Sequence, residues 1–382
     1  MKLFSWLRRD SKTESSVPLI LPAAHAGQNY PVPLAADPLE WRLYEALRYA
    51  VPVIDAALRK IIRLTGGLHL TAESSGAQDL LTAFAEHVPV NASGASLQTF
   101  ADQMLDSLLM YGNAVGELLV DADGLPCGLL SVKPELLVPV PDSPTHCAFY
   151  TRSPDGKQYP VKHPERILFA ALDPPAGSVC GVSVLRGLPA ISKILLRIFE
   201  CIAQNYDRAG NVRYAVTYHP DSASAGFAKE HAEQIAAAWK DGIRAAKYGE
   251  VQDFVAVGDI DIKVIGAENQ LFNTEIPVRQ ILEQIVSKLS IPPFLLGFSW
   301  STTERMSTQQ ADILTSELEY FRRLLSPVLR RVGTEYLRAC GYADTVTVEW
   351  DNINLQDETE LADARLKNAQ AQEIELRCEQ MK

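Results

Sequence analysis

No phosphate-binding loop of the form GxxxxGK[ST] occurs in these 382 residues, which excludes a Walker-type nucleotidase. HExxH, GxSxG and a strand-borne GxGxxG are missing too. Zinc peptidase, α/β-hydrolase and dinucleotide-binding readings therefore have no anchor. The six cysteines (Cys127, Cys147, Cys180, Cys201, Cys340, Cys378) contain no CxxC pair, and no Cys/His cluster has zinc spacing. Free thiols in a reducing compartment are expected. The seven histidines, from His25 to His231, lie far apart and read as surface or turn residues. Asp121 and Asp123 open like a calcium loop, but Gly124 and Pro126 fall at the wrong spacing and no bidentate Glu follows, so a hairpin turn is expected. Cys180 has no base signature nearby and reads as a small residue in a tight turn. No catalytic residue, metal site or cofactor is expected.

Long apolar runs are scarce as well. No stretch approaches the roughly 18 uninterrupted apolar residues of a membrane span. The segment Met1–Arg9 is basic and apolar but too short for a signal h-region. A soluble, intracellular chain is expected. Positive charge is also short: 36 basic against 47 acidic side chains leave a net charge of −11. A protein that grips nucleic acid broadly by its phosphates needs a basic surface, so that class is disfavoured. A protein past which a duplex must slide is not, because a surface that repels phosphate does not stick to it.

What is present is a chain with 47% hydrophobic and 22% charged residues, long enough for two or three domains. Residues 1–37 are rich in Ser, Pro and Ala and read as an extended arm that orders against a partner. One helix is expected from Asp37 as N-cap to Gly66-Gly67, bent at Pro52, with Trp41, Tyr44, Leu47, Val51, Ile54, Leu58 and Ile61 at three- and four-residue spacing. A strand at 68–73 and helices near 77–88 and 96–111 follow. Strands fit 114–120, 127–132, 135–140, 148–151 and 166–171, with turns at Asp121–Gly124 and Ser153–Gly156. After Asp173-Pro174-Pro175 a long helix is expected over 183–210, striped by Leu185, Leu188, Ile191, Ile194, Leu195, Ile198, Ile202 and Tyr206. A small α/β insert follows: strand 212–218, helix 224–246, and strands 251–257 and 260–265. Then come a helix over 275–289 stopped by Pro292-Pro293, a loop, a helix over 305–340 kinked at Pro327, a strand at 345–350 and a charged helical tail. The class is α+β. Two long helices bracketing a small insert bury their stripes best against copies of themselves, which points to a ring or bundle.

Five segments, in order, resemble the phage portal protein family of compact tailed phages. Leu108–Glu117 resembles its helix-to-strand junction at "YGNA". Gly181-Val182-Ser183-Val184-Leu185 resembles the "GxSxL" entry into a long helix, with Cys180 where the family usually shows Tyr. Gln204–Gly210 resembles the exit of that helix, Ile285–Gly297 the "PPxLLG" element, and Tyr320–Pro327 a proline kink in the next helix.

The resemblance covers about residues 38–350. It implies a portal fold with an α+β wing at 38–182 and a return at 343–355, stem helices at 183–210 and 269–293, a clip at 211–268, a tunnel loop and long channel helix at 294–342, and a tail at 356–382. It further implies a homo-oligomeric ring, dodecameric in the virion, at a capsid vertex. Double-stranded DNA would pass through it during packaging and ejection, and a terminase, the major capsid protein and a head–tail adaptor would be its partners, with assembly in the host cytoplasm and no membrane or cofactor.

On this mapping Phe298, Ser299, Trp300, Ser301, Thr302, Thr303, Glu304 and Arg305 are candidates to face the DNA, although plugging against a neighbouring helix accounts for Phe298 and Trp300 equally. Arg244 and Lys247 are candidates to contact motor or adaptor, although a solvated helix face accounts for them equally. Two other readings stay open. One is a cytoplasmic α+β enzyme with an unrecognised site where the body meets the insert. The other is a different virion structural protein, such as an adaptor.

Overall fold

A computed structural model describes residues 38–143, 145–153, 155–210, 213–219, 227–247, 259–265, 274–298, 304–353 and 370. The expected arm (1–37), the strand at 251–257 and nearly all of the tail beyond 353 lie outside the described residues. The chain divides into two compact units, one of residues 1–192 and 281–382, the other of 193–280.

In the first unit the expected single helix is two, α1 (Pro38–Ala50) and α2 (Pro52–Leu64). Val51 between them is extended, with φ −120° and ψ 93°, because the ring of Pro52 excludes the helical region for the residue before it. Pro52 then starts α2, where its missing N–H costs nothing. Strand β1 (Leu68–Thr71), helix α3 (Ser75–His87), a short hairpin of β2 (Pro89–Val90) and β3 (Gly94–Ala95), and α4 (Leu97–Tyr111) follow. The hairpin is too short to give a period-2 signal, and the sequence reading passes over it.

Helix α4 is the core. Leu97, Phe100, Ala101, Met104, Leu105, Leu108 and Leu109 are all buried, a pattern broader than one stripe and expected of a helix packed on several sides. α1, α2, α3 and the sheet surround it. The Arg48 guanidinium ties α1 to its neighbours, bonding Asp55 and Asp106 at 2.7 Å each.

Strands β4 (Asn113–Val120), β5 (Pro126–Val132) and β9 (Ile167–Ala171) form a five-stranded sheet with the hairpin, in the order β3-β2-β5-β4-β9. Asp121 makes the turn between β4 and β5: its carboxylate accepts from the backbone N–H of Asp123 and Leu125, and Gly124 takes φ +84°. This is the hairpin turn that its spacing predicts. A separate antiparallel sheet joins β6 (Leu137–Ser143), β7 (His146–Arg152) and β8 (Gln158–Pro160). β6 starts two residues later than expected, because Pro134 opens a 3-10 turn over Pro134–Leu136.

Helix α5 (Leu188–Gly210) begins five residues after the expected start. Gly187 sits at φ +90°, outside right-handed helical space, and residues 183–187 make a turn in which the Leu188 N–H bonds the Leu185 carbonyl. α5 runs on into the second unit. There β10 (Arg213–His219) pairs antiparallel with β11 (Asp259–Ile265), and α6 (Ala228–Lys247) comes between them in the chain. Helix α7 (Glu275–Lys288) leads back to the first unit. Then come a 3-10 turn at Pro293–Leu296, α8 (Glu304–Ala339) with Pro327 inside it, and β12 (Thr347–Trp350), which pairs antiparallel with β1. Strand β12 thus returns the chain to the element that follows α2.

Candidate functional site

Two places in the first unit concentrate the signals read from the sequence. One is the junction where α4 ends, β4 begins and the chain enters α5. Gly112 caps α4 in the left-handed region at φ +77°, its N–H bonding the Leu108 carbonyl at 2.8 Å; only glycine adopts that conformation without cost. The next residue, Asn113, is buried, and its Oδ1 accepts the Gly181 N–H at 2.9 Å. Ser107 Oγ donates to the Asn113 carbonyl at 2.9 Å.

From the other side, Ser183 Oγ lies 2.7 Å from the Met110 carbonyl and 3.1 Å from that of Leu109, and accepts the Leu185 N–H at 3.0 Å. Backbone bonds from Leu172 N–H to Gly112 and from Val182 N–H to Leu172 complete the knot. A Cβ on Gly181 would stand 2.2 Å from the Gly112 carbonyl oxygen and 2.3 Å from that of Leu172. Three backbone segments pass here with no space for a side chain. The residue types at 112, 113, 181 and 183 are therefore fixed by packing and hydrogen bonding, and this is why two segments about 70 residues apart carry recognisable motifs. Replacing Asn113 by Ala orphans the buried Gly181 N–H. A loss of about 2 kcal/mol is expected, read as a lowered midpoint in thermal or urea denaturation.

Cys180, next to the knot, takes part in a tight turn with Ser178: its N–H bonds Ser178 Oγ at 3.1 Å, and that hydroxyl donates to the Cys180 carbonyl at 2.9 Å. Cys147, on β7, has its thiol pushed up to about 11, mainly by burial. A thiol raised in this way is a poor nucleophile.

The second place is α8. Arg322 is 4% exposed and joins three elements. Its guanidinium donates to the Thr65 carbonyl at the end of α2 (2.6 and 2.8 Å), to the Asp351 carbonyl after β12 (2.6 Å) and to Glu319 (3.0 Å). It also stacks over Trp350 at 5.4 Å. Trp350 Nε1 in turn donates to Ser326 Oγ at 3.0 Å. Nearby, Tyr320 donates to Asp173 at 2.6 Å, and burial followed by that carboxylate raises the phenol above its usual value. Arg331 bonds the carbonyls of Ile167 and Glu165.

The residues assigned to the DNA channel and to partners are less fully placed. The expected loop 294–306 begins as a 3-10 turn ending at Gly297 with φ +81°, because Pro292-Pro293 preset the turn geometry. Phe298 is half-buried, its N–H bonding the Pro293 carbonyl at 3.1 Å. Ser299, Trp300, Ser301, Thr302 and Thr303 lie outside the described residues. Glu304 and Arg305 open α8, and Arg244 and Lys247 lie on α6; the side chains of these four are outside the described residues. No cluster of three or more metal-ligating side chains occurs among the described residues. No described helix is long and apolar enough to cross a membrane.

A family model described as "Phage portal protein" matches residues 78–372. The chain belongs to the phage portal protein family. Both places just described fall inside the matched span, the α2 end of the Arg322 contact excepted. Among solved structures, the neck of a native GTA particle computed with C12 symmetry superposes with a TM-score of 0.63 at 17% identity, covering 89% of this chain and 90% of that one. The neck of an empty GTA particle computed with C6 symmetry gives 0.60 at 16% identity, covering 87% and 89%. The virion of a native gene transfer agent particle gives 0.56 at 17% identity, covering 85% and 87%. At these identities the likeness is one of fold. No curated protein matches this portal chain.

Proposed function

We propose that this portal protein assembles as a homo-oligomeric ring at a capsid vertex of a virion and acts as a passive conduit for double-stranded DNA. Family membership and likeness to necks computed with C12 and C6 symmetry support the ring. The observation that carries it within the chain is the set of large apolar side chains left in water on the long helices. Ile194 and Tyr206 on α5 are 55% and 62% exposed, and Ile313 on α8 is 62% exposed; Phe199 and Ile276 on α5 and α7 are exposed as well.

The expected α5 stripe is thus only partly covered. Leu188 and Leu195 are buried, Ile191, Ile198 and Ile202 are half-buried, and Ile194 and Tyr206 face outward. Several large apolar residues left exposed along one helix suit a contact surface, and in a closed ring each copy covers the next.

On this reading the first unit supplies the wing, α5 and α7 the stem, the segment 211–268 the clip, and α8 the channel helix. Phe298 to Arg305 line the passage, and Arg244 and Lys247 meet the motor or the head–tail adaptor. The acidic balance of −11 keeps the duplex from adhering by its phosphates as it slides. ATP hydrolysis belongs to a separate terminase, since the sequence carries no phosphate loop. Assembly takes place in the host cytoplasm, against the major capsid protein.

Size-exclusion chromatography with light scattering, and end-on negative-stain images, test the ring. The expected particle is many times the 42.1 kDa subunit, with a central hole. Phe199→Asp, a change at an exposed position that leaves subunit stability within about 0.5 kcal/mol, is expected to convert rings to subunits. A chain that stays monomeric at high concentration overturns the reading.

A further inference from the structure

A small cavity lies where α1, the five-stranded sheet, the β6–β8 sheet and the loop before α5 meet. Trp41, Asn113, Glu135, Arg152, Phe169 and Cys180 are among its walls. The volume open to the centre of a water molecule is about 20 Å³. One ordered water needs roughly 10–15 Å³ by the same measure, together with two to four polar partners. An organic ligand does not fit.

Trp41 is 8% exposed, and its Nε1–H is buried with no acceptor among the described residues. A buried donor left in that condition costs about 1–3 kcal/mol and is rare in folded proteins. The indole has little freedom to turn toward another partner. It stands edge-on to Tyr111 at a centroid distance of 5.7 Å, and the Tyr111 hydroxyl is committed to Glu45 at 2.6 Å. In the same wall Asn113 has its Oδ1 taken by the Gly181 N–H. Among the described residues of the lining Glu135 is the anionic one.

We propose that this cavity is a hydration site for a single structural water, which accepts the Trp41 Nε1–H bond and donates to acceptors in the wall, the Glu135 carboxylate first among them. The water then belongs to the fold as a side chain does. It joins α1 to both sheets beside the Gly181 knot, and it accounts for an indole at a position where a phenyl ring would otherwise fill the space without an orphaned donor.

A high-resolution structure of the full-length chain, as ring or subunit, tests the site directly. A density peak about 3 Å from Trp41 Nε1 is expected; a flat map around well-resolved side chains overturns the proposal. Because Trp41→Phe also removes ring volume, the second test replaces Trp41 by β-(3-benzothienyl)alanine, which keeps the shape and puts sulfur where the N–H was. With a bound water, the melting temperature falls by roughly 2–4 °C and the peak disappears. In a dry cavity the analogue deletes an unsatisfied donor, so an unchanged or higher melting temperature sinks the idea.

Discussion

Gly181→Ala is expected to be among the most damaging single-methyl changes in the chain. The added Cβ meets the carbonyl oxygens of Gly112 and Leu172 at 2.2 and 2.3 Å and the Leu172 amide nitrogen at 2.4 Å. All three are backbone atoms held by hydrogen bonds in the knot, so none retreats by a rotamer change. Overpacking against atoms that yield commonly costs about 1–3 kcal/mol; here the loss is expected at about 3 kcal/mol or more, a drop of roughly 10 °C in melting temperature for a domain of this size. Gly177→Ala is the control. Gly177, unlike Gly181, has positive φ, at +80°, but nothing lies within 4 Å of its added methyl, so backbone strain alone acts and about 1 kcal/mol is expected. Equal melting temperatures for the two variants would show that the crossing is looser than its distances imply.

Arg322→Met is expected to cost a comparable amount by a different route. The methionine fills most of the same space but leaves the carbonyls of Thr65 and Asp351 without the donors they now have. A buried acceptor left without its donor costs about 1–3 kcal/mol, and more where the lost donor is charged. Arg322→Lys keeps the charge and loses the planar fork that reaches two carbonyls and Glu319 at once, so only partial recovery is expected. Urea denaturation followed by Trp350 fluorescence reads both variants, since that indole stacks on the guanidinium. Lysine performing as well as arginine would reduce Arg322 to a simple charge.

Much of this fold is legible from the sequence where local chemistry decides. The turn at Asp121–Gly124, the left-handed cap at Gly112 and the halt at Pro292-Pro293 each follow from what one or two residues permit. Helix α8 is found to within a residue at each end, because its apolar stripe is long. The errors share a cause. Pro52 reads as a bend because the stripe continues across it, yet the constraint on Val51 separates two helices. Leu185 and Leu188 share one apolar stripe, but Gly187 between them ends any helical continuity. Arg322 escapes notice altogether, since a single arginine in an amphipathic helix looks like a solvated charge. Only the meeting of α2, α8 and β12, more than 250 residues apart at its extremes, puts it among carbonyls. The apolar face left outside on α5 is likewise invisible to periodicity, which marks greasy positions without saying what covers them.

Pro327 acquires a particular meaning from its neighbours. Five residues before it, Arg322 binds the α2 terminus and the stretch after β12; four residues after it, Arg331 holds the carbonyls next to β9. A helix tied on both sides of its proline holds one direction through that stretch. Before Leu318 the covering is one-sided: Ala311 and Leu314 are buried while Ile313 faces outward.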